Sequence, residues 1–316
     1  MAAQHVLAIA NASAGTAEPE TVDVAADVLG SAARESGGTF ELVRTRDLDE
    51  LDAALHRLNG RLLVLLGGDG SIHSAVQRLH RDGQLQRTGP IGIIPLGTGN
   101  DLARALRIPL DPAQAARTII AGHAQKIGLL VSNEATVAVN AVHLGIGASA
   151  ASKGASMKKR LSKLRLGKLG YALGALAARV GRNGWALTAR VDGQVVHNDS
   201  SKVLLVALGV GCTVGGGAAL IPKADPYDRE VDVVVWESVR LLPRLAYALG
   251  LSDGSHARRD DVRSARGRSV RVDATDGNAF YVSNDGEIGG PFLQREWTLE
   301  PEAWQVIVPS IDDSSG

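Results

Sequence analysis

Short apolar segments separated by amphipathic stretches make up the first 122 residues of this 316-residue chain. Four segments have the length and side chains of strands: residues 6–10, 39–44, 62–66 and 91–94. Between them, apolar side chains at helical spacing, such as Val22, Ala25 and Leu29, predict helices. A strand that repeats with a helix is typical of a doubly wound α/β domain, and we predict one over residues 1–122.

Two aspartates are placed to begin helices in this domain. Asp47 precedes four leucines that would share one side of a helix: Leu48, Leu51, Leu55 and Leu58. Asp111 precedes Pro112, which suits a first helical turn because the missing N–H would have no partner there. We therefore predict helices that begin after Asp47 and Asp111.

The second part of the chain, residues 123–300, has a different pattern. Strand-like segments recur at 185–191, 231–236, 269–272 and 280–282. The pair Asp192-Gly193 predicts a β-hairpin turn, because both residue types tolerate the positive φ angles that such turns need. We predict a mostly antiparallel, β-sandwich-like domain, interrupted by helices near residues 161–180 and 240–250.

Composition excludes one large class of partner. The formal net charge is zero and only 3% of the residues are aromatic, so the chain lacks the features typical of proteins that bind nucleic acids. The single cysteine, Cys212, cannot form an internal disulfide and lies in an apolar stretch. We expect a buried thiol in a cytoplasmic protein.

The most informative polar segment is Gly67-Gly68-Asp69-Gly70-Ser71, which follows the apolar segment 62–66. A glycine loop between a strand and a helix is typical of a phosphate site, because backbone N–H groups and the helix N-terminus favour an anion. Asp69 would repel that anion, so we expect it to act on a divalent cation or a bridging water. An ordinary glycine turn is the alternative for this segment alone.

A second glycine loop, Gly97-Thr98-Gly99-Asn100-Asp101, follows the next predicted strand at 91–94. Carboxyl ends of parallel strands meet at one edge of a sheet, so we expect the two loops to form one ligand site. Thr98 and Asn100 are candidates to hydrogen-bond phosphate or ribose. Capping of the next helix is the alternative for Asn100.

The two loops resemble the nucleotide-binding motifs of the diacylglycerol kinase family of lipid kinases, in particular its single-chain bacterial members. Further segments match in the expected order: 140–147, 166–171, 215–217, 221–224 and 285–287. The resemblance implies a kinase that uses ATP and Mg²⁺, with its active site in the cleft between the two domains. It also implies that a last strand, within residues 301–316, returns to the first domain.

The resemblance assigns the role of general base to Glu287, which would accept the proton of the attacking hydroxyl. Glu287 belongs to the segment Asp285-Gly286-Glu287, which follows a predicted strand. Taken alone, the same three residues are typical of a tight turn with two solvated acids.

Three other polar residues match the family less closely. Asn11 stands where the family's first loop has an asparagine and would contact the nucleotide, but a plain turn residue is the alternative. Asp225 and Asp228 resemble a segment that binds a structural Mg²⁺ in some relatives, although Arg229 stands where a glycine is common.

Residues 158–168 contain six basic side chains with interleaved leucines. A basic amphipathic helix can rest on an anionic membrane, and a solvated helix face is the alternative. The resemblance implies a lipid substrate at the inner membrane surface, and we expect transient peripheral contact with that surface through this segment. Diacylglycerol is the default acceptor, and sphingoid bases, other glycerolipids and isoprenoid alcohols stay open, as does a homodimer.

Two other functions stay open at this point. NAD kinase shares the Gly-Gly-Asp-Gly loop, but its second loop typically carries Asn-Glu, whereas this chain has Asn100-Asp101. A nucleotide-sensing regulatory protein without turnover would bind ATP in the same loops. The presence of both Asp69 and Glu287 favours an enzyme.

Overall fold

The computed structural model describes residues 4–12, 19–145, 184–237, 250–251 and 254–310. The chain divides into two compact units. The first unit is Met1–Leu129 together with Glu302–Gly316, and the second is Leu130–Pro301. Each unit has its own sheet architecture.

The first unit alternates strands and helices. In chain order these are β1 (Val6–Asn11), α1 (Pro19–Glu35), β2 (Phe40–Thr45), α2 (Leu48–His56), β3 (Leu62–Gly67), α3 (Asp69–Arg81), a 3₁₀ helix (Leu85–Arg87), β4 (Pro90–Pro95), α4 (Asp101–Ala105) and α5 (Pro112–Ala121). The strands pair in the order β2-β1-β3-β4, and every pair is parallel. The predicted α/β domain with a parallel sheet is confirmed.

Both predicted helix caps are present. The Glu50 amide donates to Asp47 Oδ1 at 2.9 Å, and the Gln114 amide donates to Asp111 Oδ1 at 2.9 Å. One detail was wrong: α2 ends at His56, so Leu58 lies beyond the helix. Asn59 and Gly60 follow with φ angles of 41° and 75°, which a right-handed helix cannot include.

The second unit is built from strands. In chain order these are β5 (His123–Ser132), β6 (Val137–Ala138), β7 (Ala141–Gly145), β8 (Leu187–Val191), β9 (Gln194–His197), β10 (Val203–Gly209), β11 (Val231–Glu237), a 3₁₀ helix (Ser255–Arg258), β12 (Val262–Gly267), β13 (Ser269–Ala274), β14 (Phe280–Asn284), β15 (Glu287–Phe292) and β16 (Gln294–Val308). Six of them form an antiparallel sheet in the order β12-β11-β10-β7-β14-β15.

A second antiparallel ladder in this unit joins β16, β13, β8 and β9. Side chains from both layers meet in one core, which includes Val142, Val206, Val270, Phe280 and Trp297. This arrangement confirms the predicted antiparallel sandwich. The Asp192-Gly193 turn joins β8 to β9 as predicted. The predicted helices near 161–180 and 240–250 fall outside the described residues, apart from position 250.

Strands β5 and β16 each run from one unit into the other. The division falls within β5, after Leu129, whereas the sequence pattern changes at residue 122. Ile127 and Leu129 are buried, and Trp304 Nε1 donates to the Gly128 carbonyl at 3.4 Å, which keeps the first part of β5 in the first unit. The last part of β16 pairs parallel with β4 through Gln305 and Val306, where the resemblance implied a returning strand. In the described ranges no helix is long and apolar enough to cross a bilayer.

Candidate active site

The two glycine loops touch at the carboxyl edge of the parallel sheet. Gly67 at the end of β3 lies opposite Pro95 at the end of β4, and the Leu96 amide donates to the Gly67 carbonyl at 2.9 Å. A Cβ atom on Gly68 would lie 2.9 Å from the Cα of Gly97, and one on Gly97 would lie 2.5 Å from the Cα of Gly68. Neither position has room for a side chain, so the two loops form one continuous backbone surface.

The loop after β3 leads directly into α3. Gly68 is the N-cap of this helix and provides no side-chain hydrogen bond to its first turn. Helix N-termini attract anions through their first backbone N–H groups and the helix dipole. Asp69, Gly70 and Ser71 form that first turn. The Ser71 amide donates to the Gly68 carbonyl at 2.9 Å, so the predicted phosphate contact through backbone N–H groups involves Asp69 and Gly70.

Asn100 holds the second loop in shape. It adopts a left-handed conformation with φ of 54°, which asparagine tolerates better than most residues. Its Oδ1 accepts from the Gly97 amide and its Nδ2 donates to the Gly97 carbonyl, both at 2.8 Å. Asn100 is only 7% exposed. The side chain makes no cap bond to α4, so its contact with phosphate or ribose stays a prediction.

Asp69 links the first loop to the helix that follows the second. It is half-buried, and its Oδ1 accepts a hydrogen bond from the Leu102 amide in the first turn of α4 at 3.2 Å. The carboxylate therefore caps α4, the role that the sequence offered to Asn100. Asp101, next to Leu102, is buried. Magnesium bound with a nucleotide uses one or two protein carboxylates and the phosphates, and Asp69 and Asp101 are the carboxylates of these two loops.

Asn11 lies at the end of β1, beside the first loop. Its Nδ2 donates to Ser71 Oγ at 3.0 Å. The sheet order reverses between β1 and β3, and ligands bind at such reversals in open α/β sheets. A cavity of about 220 Å³ opens here. Its polar lining residues are Asn11, Thr45, Arg46, Asp47, Ser71 and Ser74.

Thr45, Arg46 and Ser74 are cavity residues that the sequence motifs did not indicate. A usable signal was present, because Thr45 ends β2 and so shares the carboxyl edge with the two glycine loops. Arg46 pairs with Glu50 one turn along α2, and this ion pair raises the pKa of Arg46. Thr98, in the second loop, is exposed.

Asp285 and Gly286 form a two-residue hairpin turn between β14 and β15, and Glu287 follows this turn. The φ angles of Asp285 and Gly286 are 49° and 98°, the signs that such a turn requires. The Asp285 carboxylate accepts from three backbone amides, those of Val139, Asn140 and Ala141, at 2.7, 3.0 and 2.9 Å. Asp285 is therefore a framework residue, whereas Glu287 begins β15 as an exposed carboxylate.

The predicted Mg²⁺ residues Asp225 and Asp228 both have partners within the protein. Asp225 Oδ1 accepts from the Tyr227 amide at 3.0 Å, and Asp228 is ion-paired with Arg266. Arg266 Nε also lies 3.4 Å from Asp232 Oδ2. Burial raises the pKa of Asp232 above its usual value, and the charge of Arg266 opposes this shift. In the described part of the chain, no three His, Cys, Asp or Glu side chains form a metal-binding group. The basic segment 158–168 lies outside the described residues.

Comparison with known proteins identifies the family. The diacylglycerol kinase catalytic domain profile matches residues 5–131. The profile described as the YegS C-terminal NAD kinase beta sandwich-like domain matches residues 140–308, more than half of the chain.

A diacylglycerol kinase of Mycobacterium tuberculosis is 27% identical over 252 residues, which are 78% of this chain and 76% of that protein. One from Staphylococcus carnosus is 26% identical over 230 residues, 72% of this chain and 71% of that protein. The crystal structure of a diacylglycerol kinase from Bacillus anthracis, 22% identical, matches with a TM-score of 0.77 over 96% of this chain and 97% of that chain, so the fold is shared. The chain therefore belongs to the bacterial diacylglycerol kinase family and is a kinase.

Proposed function

We propose that this protein transfers the γ-phosphate of ATP to a hydroxyl group of a membrane lipid, with diacylglycerol as the default acceptor. The observation that carries the proposal is the contact between the two glycine loops at Gly68 and Gly97, which forms one backbone surface at the edge of a parallel sheet. Membership of the bacterial diacylglycerol kinase family supports a lipid alcohol as the acceptor.

The first unit would bind the nucleotide. The backbone N–H groups of Asp69 and Gly70, at the start of α3, would meet the phosphates. The second loop, held in shape by Asn100, would form the other side of the same surface. The nucleoside would enter the polar cavity beside Asn11 and Thr45. Asp69 and Asp101 would hold Mg²⁺, which supplies charge neutralisation on the phosphates when bound.

The chemical step needs a proton acceptor. The lipid hydroxyl oxygen forms a bond to the γ-phosphorus, the bond from that phosphorus to the β–γ bridging oxygen breaks, and ADP leaves. The hydroxyl proton passes to Glu287, the base that the resemblance assigns. The exposure of Glu287 at the start of β15 supports this role, because a substrate hydroxyl can approach an exposed carboxylate, whereas the Asp285 carboxylate accepts from three backbone amides.

The acceptor stays in the bilayer, so the protein would act at the inner membrane surface. The six basic side chains of residues 158–168 support transient contact with anionic lipid.

The experiment is transfer of labelled γ-phosphate from ATP, with Mg²⁺, into a mixed lipid extract in micelles. Wild type is compared with Glu287→Gln and with Glu35→Gln, a matched change at an exposed glutamate that ends α1. We expect a labelled lipid with wild type and Glu35→Gln, and loss of about 100-fold or more in rate with Glu287→Gln. No labelled lipid under conditions where ATP binds would contradict the proposal and favour NAD phosphorylation or a nucleotide sensor.

A further inference from the structure

One carboxylate in the lining of the cavity beside Asn11 and Thr45 has an oxygen that the fold does not use. Asp47 lies two residues after the end of β2 and lines this cavity of about 220 Å³. Its Oδ1 accepts from the Glu50 amide at 2.9 Å and so caps α2. Among the described residues, Asp47 Oδ2 has no hydrogen-bond or ion-pair partner, and the side chain is exposed. Asp47 can therefore accept a further hydrogen bond from a ligand in the cavity.

The arginine next to Asp47 in the chain pairs with another acid. Arg46 Nε donates to Glu50 Oε1 at 2.9 Å, and the Arg46 amide donates to Glu50 Oε2 at 2.8 Å. The charge of Asp47 is thus not matched by an ion pair in the described part of the chain. A carboxylate of this kind repels phosphate groups, so the part of a nucleotide that it contacts has to be a neutral hydrogen-bond donor.

The order of the strands places Asp47 beyond the end of the phosphate loops. β2 pairs with β1 and β1 pairs with β3, so the carboxyl ends of the three strands lie in a row. Because neighbouring strands are about 4.8 Å apart, the end of β2 lies about 10 Å from the first glycine loop, which follows β3. Asn11, at the end of β1, lies between them and donates to Ser71 Oγ at 3.0 Å. A nucleotide with its phosphates on the glycine loops would extend along this row, and the sugar is the group attached to the phosphates.

The chemistry of the cavity favours a contact with the sugar. A carboxylate only accepts hydrogen bonds, and the 2′- and 3′-hydroxyl groups of ribose are neutral donors next to the phosphate chain. In dinucleotide-binding folds of the same doubly wound class, an acidic side chain hydrogen-bonds the ribose in this way. Apolar side chains, including Ile9, Leu51 and Leu65, line the rest of the cavity and suit the flat face of a base.

We propose that the Asp47 carboxylate hydrogen-bonds the ribose hydroxyl groups of the nucleotide and so selects ribonucleotides over deoxyribonucleotides. The proposal rests on the nucleotide site of the proposed function and adds a specificity-determining residue to it. One side chain then has two roles, because Oδ1 caps α2 and Oδ2 accepts from the sugar. The helix cap holds in place the carboxylate that the ribose contacts.

The test uses Asp47→Ser, which removes the second oxygen and keeps a residue type that caps helices well. The matched control is Asp111→Ser. Asp111 caps α5 through the Gln114 amide at the same distance of 2.9 Å and does not line the cavity. Isothermal titration calorimetry with Mg²⁺ and without lipid gives Kd for ADP, 2′-deoxy-ADP, 3′-deoxy-ADP and GDP. The thermal midpoint of each protein is measured without nucleotide.

We expect wild type to bind ADP about tenfold or more tightly than at least one of the two deoxy analogues, because a hydrogen bond to a charged group is lost. Asp47→Ser should weaken ADP binding about tenfold and bring all three Kd values within about twofold of one another. Its thermal midpoint should stay close to that of wild type, because the cap is kept. Asp111→Ser should keep the wild-type preference. If Asp47 only capped the helix, Asp47→Ser would leave the Kd ratios unchanged.

Two results would overturn the proposal while ADP still binds. One is equal affinity of wild type for ADP and both deoxy analogues. The other is an Asp47→Ser protein that keeps the preference for ribose and changes the ratio of ADP to GDP, because the carboxylate would then contact the base.

The titrations contain no lipid, so their result is separate from the phosphate-transfer assay. Loss of the ribose preference in Asp47→Ser, together with no phosphate transfer from ATP to any lipid, would support the ribose contact and overturn the lipid kinase. A wild-type protein that binds no adenine nucleotide would overturn both proposals.

Discussion

A single methyl group at Gly97 tests whether the two glycine loops act as one phosphate-binding surface. In Gly97→Ala the new carbon would lie 2.5 Å from the Cα of Gly68 and 2.8 Å from Asn100 Oδ1. Because carbon atoms pack at about 3.5–4.0 Å, the loops would have to separate by about 1 Å. Gly97 has no positive φ, so alanine adds a collision and no backbone strain.

A misplacement of about 1 Å in a positioning group typically costs about 100-fold in rate. That factor corresponds to about 2.7 kcal/mol of transition-state stabilisation. We therefore expect Gly97→Ala to lower kcat/KM for ATP about 100-fold, measured as initial rates of phosphate transfer at saturating acceptor.

The matched control is Gly30→Ala within α1. Its new carbon would meet only side-chain atoms of Arg34 and Phe40, at 3.3 and 3.4 Å, and alanine favours the helix. We expect this variant to keep wild-type kinetics. A Gly97→Ala protein with wild-type kcat/KM for ATP would refute the inference that close contact of the loops sets the phosphate geometry.

Three further predictions concern charged and titrating groups. Asp69→Asn keeps an oxygen that accepts from the Leu102 amide, so we expect it to lower kcat strongly and to keep the thermal midpoint of wild type. Asp69→Ala removes this helix cap, so it should also lower the free energy of unfolding in urea by about 1 kcal/mol. Equal destabilisation by both variants would contradict the cap. The guanidinium of Arg266 is the positive charge beside Asp228, so without nucleotide EDTA should leave the thermal midpoint of wild type unchanged. A fall in the thermal midpoint that Mg²⁺ reverses would contradict this prediction. Burial lowers the pKa of His143 from 6.5 to about 4, against a smaller opposing effect of Asp285. Between pH 6.5 and pH 4, His143 is therefore protonated in the unfolded chain but not in the folded protein. As the pH falls through this range, the free energy of unfolding should decrease by up to about 3 kcal/mol. In urea unfolding His143→Phe should flatten this slope, and an unchanged slope would exclude His143 as its cause.

The sequence predicts those parts of the fold that depend on local physics. Apolar spacing indicates the alternating strands and helices of the first unit, and Asp47 and Asp111 cap the helices that were expected to follow them. Asp192-Gly193 and Asp285-Gly286 both form hairpin turns, because their φ preferences are properties of the residues themselves. Leu58 was misassigned because the turn at Asn59 and Gly60 ends α2 earlier than its apolar spacing suggests.

Parts of the site that depend on sheet register could not be predicted in this way. The contact of Gly68 with Gly97 exists because β3 and β4 pair in one register, and no local pattern encodes that register. The hydrogen bond from the Leu102 amide to Asp69 crosses between two loops, and it gives to Asp69 a capping role that the sequence analysis considered only for Asn100, as the alternative to a phosphate or ribose contact. Thr45 ends a predicted strand, which indicates the carboxyl edge of the sheet, but its place at the cavity also depends on the order of the strands.

In each of the two acidic motifs, one residue holds the backbone and a nearby residue is the one proposed to react or to bind metal. In the hairpin, the Asp285 carboxylate accepts from the backbone amides of residues 139–141. These hydrogen bonds fix the turn that precedes Glu287 at the start of β15. In the second loop, Asn100 closes the backbone on Gly97 and so sets the position of Asp101. The framework residue in each case lies directly beside, or one glycine away from, the residue proposed to react or bind metal. Such a motif is short in sequence because the hydrogen-bonded residue fixes the backbone position of the acidic residue near it. Asp285 is therefore required together with Glu287, and Asn100 together with Asp101.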